Sequence, residues 1–351
     1  MMADYITGLV VDDSAFMRTA LSRMISSDKD LGVIGTATNG REALEKIELL
    51  QPDVITLDLE MPGMDGLSVL RELQHRGQRP VVVISSLAQE GADATFEALS
   101  LGAFDYIPKL QSYASLSIVN IRDELSAKIR AAAEWGRSQG ESRVQCLSAA
   151  SLRPVATPMP EIVAIGCSTG GPRALQTILP LLPPDLPVPV LIVQHMPVGF
   201  TGPFAKRLNS LCRLEIREGG NRDPIQPGVV LIAPAGWHML VERHSRRPQI
   251  VLSHEPTNGC HRPSVDVMML SVCERYGARC MGVILTGMGN DGAEGMRAIY
   301  NAGGLTLGQD ESSCTVYGMP RASAEMGVLR QILPLSAIPQ AIASVCRMRA
   351  A

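Results

Sequence analysis

Short apolar runs alternate with amphipathic stretches along almost the whole of this 351-residue chain, and that alternation limits its fold more than any other feature. In the first part, runs at 8–11, 33–37, 54–57, 81–84 and 105–107 have strand length. Helical spacing fills 15–25, 41–49, 67–73, 95–99 and 116–133 between and after them. Five strand–helix alternations call for a doubly wound parallel sheet. From 133 to 160, Gly, Ser, Gln and Pro displace the apolar periodicity, which reads as a linker that begins as a continuation of the preceding helix. The alternation then resumes. Strands are expected at 162–165, 190–193, 214–216, 229–233, 239–241, 250–252, 283–285 and 305–306. Helices are expected at 174–182, 200–211, 265–276, 294–301 and 339–347, and 229–252 has room for an antiparallel hairpin. The fold expected is two doubly wound, mostly parallel α/β domains, 5–125 and 160–347, joined by a linker at 126–159.

Composition narrows what such a chain does. Hydrophobic residues make up 46%, enough for a full core in each domain. A net charge of −3 argues against a protein that lives on nucleic-acid phosphates. The longest apolar stretch, 181–193, is broken by Pro183, Pro184, Asp185, Pro187 and Pro189, so no membrane insertion is expected. The first residues carry no basic run ahead of an apolar one, so no signal peptide is expected. The eight cysteines have no metal-type spacing. Cys167, Cys273 and Cys280 lie in apolar surroundings and read as small buried hydrophobes of a reducing compartment, which points to the cytoplasm.

Reactive side chains stand where the apolar runs end. In an open α/β sheet that edge is where ligands bind. In the first domain, Asp12 and Asp13 follow the first run, Asp58 the third, Ser85 the fourth and Lys109 the fifth. Asp is also a good helix N-cap, which would account for one of these aspartates but not for the set. Crowded carboxylates need a cation, and all-oxygen ligands suit Mg²⁺. Beside Mg²⁺, Asp58 is placed to attack a phosphoryl donor, with Lys109 and Ser85 receiving the new phosphoryl oxygens.

In the second domain the run at 162–165 meets Gly166-Cys167-Ser168-Thr169-Gly170, and Pro172 then opens a helix. Ser168 therefore sits between a strand and a helix N-terminus, where free backbone N–H groups can stabilise an oxyanion. Gly-rich turns of this kind also bind phosphates, so the serine needs partners to be read as a nucleophile. His195 follows the run at 190–193, and Asp291 lies in the Gly-rich stretch LTGMGNDG after the run at 283–285. A strand-end histidine and an Asp before Gly each have ordinary structural readings, but all three residues fall at one sheet edge. Ser as nucleophile, His as base and Asp as orienting acid form a hydrolytic relay. The order Ser, His, Asp differs from that of α/β-hydrolases, so the G-x-S-x-G match does not point to that fold. Gly287, Gly289 and Gly292 allow close backbone approach and left-handed turns.

The strings VVDDS (10–14), ITLDLEMPGMDG (55–66), VVVISS (81–86) and GAFDYIPK (102–109) together resemble the receiver domain of two-component response regulators, a flavodoxin-like fold. The resemblance implies Asp58 as phospho-acceptor, with Asp12, Asp13, Asp58 and the Glu60 carbonyl holding Mg²⁺. It implies Ser85 and Tyr106 as the switch pair, alongside Lys109. Receivers usually place Pro after that lysine; Leu110 stands there, with Pro108 before it, so no cis Lys–Pro bond can form. In the second domain IGCSTGGP (165–172), QHMP (194–197), IAPAGWHM (232–239), HRPSVDVM (261–268), LTGMGNDGAEGM (285–296) and VYGMPRAS (316–323) resemble the CheB-type protein-glutamate methylesterases of bacterial chemotaxis. Cys167 stands where a smaller Ala or Ser is usual.

That resemblance implies Ser168, His195 and Asp291 as the triad, with backbone N–H groups near Thr169 and Met288 binding the oxyanion. It implies hydrolysis of receptor glutamate γ-methyl esters with release of methanol, and deamidation of receptor glutamine, with no cofactor for either. The expected partners are methyl-accepting chemoreceptors and the chemotaxis histidine kinase as phosphodonor, with the enzyme a cytoplasmic monomer recruited to receptor arrays. The unphosphorylated receiver is expected to cover the Ser168 edge until Asp58 is phosphorylated. Two alternatives stay open at this point: a phosphorylation-controlled binding module without activity, and a methylesterase serving a sensory array outside chemotaxis.

Overall fold

The computed structural model describes residues 5–76, 79–86, 89–109, 115–140, 158–244, 247–257 and 261–347. The chain divides into two compact units, residues 1–142 and 143–351.

The first unit runs β1 (Ile6–Val11), α1 (Ala15–Ser26), β2 (Leu31–Ala37), α2 (Gly40–Leu50) and β3 (Val54–Asp58). It continues with α3 (Gly66–Arg76), β4 (Val81–Ser85), α4 (Gln89–Ser100), β5 (Asp105–Pro108) and α5 (Ser115–Gly140). All five strands are parallel, in the order β2-β1-β3-β4-β5. Helices on both faces bury the central strands completely, which is why Leu9, Val10, Ile55, Leu57, Val82 and Val83 form unbroken apolar runs rather than alternating ones. Each such side chain stabilises the fold by about 1.5–3 kcal/mol. The chain reverses its direction of travel across the sheet between β1 and β3, and the crevice beyond their carboxyl ends is the natural ligand site.

α5 is longer than the expected 116–133. It reaches Gly140, so residues 126–140 of the expected linker are helical, and the change in composition at 133 does not end the helix. The physical reason is on the helix itself: Ile129, Ala131, Ala132 and Ala133 are buried, and Trp135 packs its ring against Phe104 at 5.9 Å. The expected linker from 141 to 157, and Leu110, lie outside the described residues.

The second unit runs β6 (Ile162–Cys167), α6 (Gly171–Ile178), β7 (Val190–Gln194), α7 (Thr201–Leu211), β8 (Glu215–Glu218) and β9 (Val229–Ile232). Then come β10 (His238–His244), β11 (Arg247–Ser253), α8 (Val265–Tyr276), β12 (Cys280–Ile284), α9 (Ala293–Asn301) and β13 (Leu305–Gln309). α10 (Met319–Glu325), β14 (Gln331–Leu333) and α11 (Ile338–Arg347) complete it. Seven strands form a parallel sheet ordered β14-β13-β12-β6-β7-β9-β8. β10 and β11 form a separate antiparallel hairpin, as the sequence allowed, while β9 joins the main sheet. The hairpin packs on α8 through an apolar cluster that includes Met239, Val241, Ile250, Met268 and Val272. α6 starts at Gly171, three residues earlier than expected, and gives way to a 3-10 turn at Leu179–Leu181 because Pro180 cannot continue the α-helix. β12, β6 and β7 lie side by side, so three consecutive strand ends share one edge. Among the described residues no helix is long and apolar enough to cross a membrane.

Candidate functional site

Two sheet edges carry chemistry. At the first, Asp12, Asp13 and Asp58 bring carboxylate oxygens to within 4.8 Å of one another. Asp12 and Asp58 are fully buried and Asp13 is exposed. The backbone N–H of Ser14 donates to Asp12 Oδ1 at 2.9 Å, but Asp12 Oδ2 is buried with no hydrogen-bond partner among the described residues. Burial, and then the Asp58 charge, push the Asp12 carboxyl up to about 6. Burial also raises Asp58, against the pull of Lys109, whose Nζ donates to Asp58 Oδ2 at 2.7 Å. Lys109 thus reaches the Asp58 carboxylate even with Leu110 after it. The Glu60 backbone N–H donates to Asp58 Oδ1 at 3.1 Å. Two buried carboxylates facing one ammonium leave an excess of negative charge and one unused oxygen. That donor set fits a hard divalent cation.

Ser85 and Tyr106 lie on the neighbouring strands β4 and β5 and are buried. In this structure the Ser85 hydroxyl turns to α4, where it meets Thr95 Oγ1 and the Gly91 carbonyl, rather than to Asp58. Lys128 of α5 donates to the Tyr106 carbonyl at 2.6 Å and pairs with Asp105.

At the second edge Ser168 directly follows β6, His195 directly follows β7 and Asp291 lies beyond β12. Backbone bonds lock the first two together. Ser168 N–H donates to the Thr286 carbonyl and His195 N–H to the Cys167 carbonyl, both at 3.1 Å. Buried Gln194 donates from Nε2 to both the Ser168 and the His195 carbonyls at 2.9 Å. Gly287 must be glycine: a Cβ there would lie 2.9 Å from Ser168 Cβ and 3.0 Å from its nitrogen. Gly289 and Gly292 have φ of +78° and +102°, the left-handed turns that bring Asp291 back to the sheet. Neither the Thr169 nor the Met288 backbone N–H is hydrogen-bonded among the described residues. Cys167 is a buried thiol that burial pushes far up, so it is inert packing beside the serine.

His195 Nε2 and Asp291 Oδ2 are 2.8 Å apart. With its Nε2–H given to the carboxylate, the imidazole keeps its basic lone pair on Nδ1. That atom is buried and has no partner among the described residues. The ring turns Nε2 to the carboxylate, the opposite way round from the familiar serine-protease relay, where Nε2 faces the serine. Among the described residues no hydrogen bond joins Ser168 Oγ to His195; such contacts are commonly long in the free enzyme and close around substrate.

Asp291 sits on the N-terminus of α8. Its Oδ1 accepts from Ser264 Oγ at 2.8 Å and from Asp266 N–H at 3.0 Å, and its Oδ2 also accepts from Val265 N–H at 2.7 Å. Burial alone would raise its pKa, but the bonds from His195 and these backbone donors hold it well below the usual carboxylate range. Asp266 next to it is displaced upward by burial and the nearby Asp291 charge. His238 supports the arrangement. Its Nδ1 accepts from Ser264 N–H at 3.2 Å and its Nε2 faces the Pro256 carbonyl at 3.1 Å, and burial favours its neutral form. Sequence reasoning gave Ser264, His238 and Gln194 no role. The readable signal was Ser264 itself, an N-cap residue directly before an apolar helical pattern.

The geometry thus offers a buried, oriented base beside a serine at a helix N-terminus, and, in the other unit, a carboxylate nest. Comparison with known proteins agrees unit by unit. The model of the CheB methylesterase family matches residues 163–342, and that of the response regulator receiver domain matches residues 9–118. The chain is 47% identical over 347 residues to the protein-glutamate methylesterase/protein-glutamine glutaminase of Symbiobacterium thermophilum, covering 95% of each chain. It is 43% identical to the protein of the same name from Pyrococcus horikoshii, covering 97% of this chain and 94% of that one. It is also similar to the crystal structure of the Thermotoga maritima CheB methylesterase catalytic domain. There the TM-score is 0.52 and the identity 37%, with 53% of this chain and 98% of that chain covered.

Proposed function

Because the chain belongs to the CheB methylesterase family and joins that domain to a response-regulator receiver domain, we propose that it hydrolyses glutamate γ-methyl esters of chemoreceptors under the control of receiver phosphorylation. Methanol leaves and a glutamate carboxylate remains. Receptor glutamine is deamidated by the same route, with ammonia as the leaving group.

The Ser168 hydroxyl attacks the γ-carbonyl carbon while His195 Nδ1 takes its proton. Asp291, ionised throughout, holds the Nε2–H tautomer and stabilises the imidazolium. The oxyanion meets the N–H groups of Thr169 and Met288, and one such donor is worth about 3–4 kcal/mol in the transition state. His195 returns the proton to the departing methoxide or amine. Water, activated by the same histidine, then cleaves the acyl-serine. No cofactor enters these steps. The observation that carries the reading is the His195–Asp291 contact, which leaves Nδ1 buried with its lone pair free of any described partner, one strand away from Ser168.

In the receiver, Asp58 is the phospho-acceptor, and Asp12, Asp13, Asp58 and the Glu60 carbonyl would hold Mg²⁺. Bound Mg²⁺ would neutralise the phosphoryl oxygens. Lys109 stays paired to the site, and Ser85 exchanges its α4 partners for the phosphoryl group as Tyr106 rearranges. The phosphodonor is the chemotaxis histidine kinase, and the enzyme works as a monomer recruited to receptor arrays.

Methanol release from methylated receptor membranes, with and without a small phosphodonor, tests this. Wild type is expected to release methanol faster with the donor, and Ser168→Ala to lose at least roughly 10³-fold in rate with its fold intact. A Ser168→Ala rate within about tenfold of wild type, or 1.4 kcal/mol, would end the serine-nucleophile reading.

A further inference from the structure

We infer that His261 is a positioning residue for the catalytic base, an inference that rests on the Ser168–His195–Asp291 reading. The His261 ring stacks on the His195 ring with centroids 4.1 Å apart and planes 18° from parallel. A single hydrogen bond from Nε2 to Asp291 fixes one corner of the His195 ring and leaves it able to swing about that bond. The stack removes that freedom by setting the plane, and with it the direction of the Nδ1 lone pair.

The segment that carries His261 is itself anchored to the site. Gly236 N–H donates to the Arg262 carbonyl at 3.1 Å. Three and four residues after His261, Ser264 Oγ and Val265 N–H hold Asp291. One short stretch, 261–265, therefore grips both members of the dyad: His261 lies against the base, and Ser264 and Val265 hold the acid. A shift in this stretch would move base and acid together, which keeps their 2.8 Å contact while aligning both to Ser168. His261 is exposed, so shortening its side chain opens no cavity in the core.

A ring stack of this kind is worth enough to change a rate about tenfold when lost. The full-length protein is compared as wild type, His261→Ala, His261→Phe and Ser168→Ala. Two readouts are used: methanol release from methylated receptors, and covalent labelling by a fluorophosphonate probe, which reports serine activation without receptor. His261→Ala is expected to lower kcat and slow labelling about tenfold with KM within about twofold. His261→Phe keeps a flat ring without a titrating nitrogen and is expected to recover both to within about threefold of wild type. A His261→Ala protein as fast as wild type would overturn the inference. So would a His261→Phe protein no faster than His261→Ala, or a loss confined to KM, which would make His261 a substrate contact. Labelling or hydrolysis by Ser168→Ala would instead defeat the underlying serine reading, so the two failures are told apart.

Discussion

Asp12 directly follows β1 and Asp291 lies in the loop after β12, each at the carboxyl-end edge of its sheet, and the donors around them differ. Asp12 is buried beside Asp58 with one oxygen that no described residue satisfies, and burial raises its carboxyl to about 6. Asp291 is also largely buried, yet four donors converge on it and keep it ionised. Burial is common to both. The donor count decides whether the carboxylate waits for an outside cation or serves as a fixed internal charge. On the proposed reading, the same residue type is a ligand site in one unit and a piece of catalytic scaffolding in the other.

Amide replacements break this comparison most sharply. Asp291→Asn presents an NH₂ to His195 Nε2, drives the proton to Nδ1 and removes the lone pair that receives the Ser168 proton. Methanol release is expected to fall roughly 10³–10⁴-fold. Urea unfolding of the same variant is expected to show a loss of about 2–3 kcal/mol, because donors of the α8 N-terminus lose their anion. If its rate stayed within about tenfold of wild type, Asp291 would not be setting the tautomer.

Asp58→Asn is expected to abolish labelling by a small phosphodonor and to hold methanol release at its unstimulated rate. Persistent phosphoprotein in that variant would move the acceptor elsewhere.

The Asp12 carboxyl supplies the subtler tests. Its pKa rises from an ordinary 3.8 to about 6 on folding. The folded chain therefore holds the extra proton between those values, and metal-free stability falls as pH rises from 4 to 6. Mg²⁺ needs the ionised form, so its affinity runs the other way, weakening by about tenfold per pH unit below 6 in calorimetric titrations. The smallest expected effect is on stability. Asp12→Asn removes the buried like charge and should stabilise the metal-free protein by about 1 kcal/mol at pH 7 while weakening Mg²⁺ binding. Destabilisation of both Asp12→Asn and Asp291→Asn by similar amounts would erase the contrast between the two aspartates.

The strand ends were legible because parallel strands buried on both faces appear as unbroken apolar runs, and the reactive residue is whatever polar side chain follows. Ser168, His195, Asp58 and Lys109 all stand at such strand ends. What holds them was harder to read. Asp291 is gripped by Ser264, Val265 and Asp266, more than twenty residues earlier in sequence, and no local periodicity links a Gly-rich loop to a distant helix start. His261 is exposed and lies in a bend before α8, so its stack on His195 could not be read from the sequence. β14 and α10, of three and seven residues, are too short to show a period. The end of α5 was hidden because Glu134, Arg137 and Gln139 look like linker by polarity although all three are good helix formers.

The grip on Asp291 has a consequence for how this chain can vary. Two of its donors, Val265 N–H and Asp266 N–H, belong to the main chain. Exchange of either side chain leaves them in place, so the charge of Asp291, the proposed catalytic acid, is insulated from most single-residue drift in the helix that holds it. Proline is the exception, since it alone deletes an N–H. An inherited change to proline at 265 or 266 would unmake the acid without touching any residue of the triad.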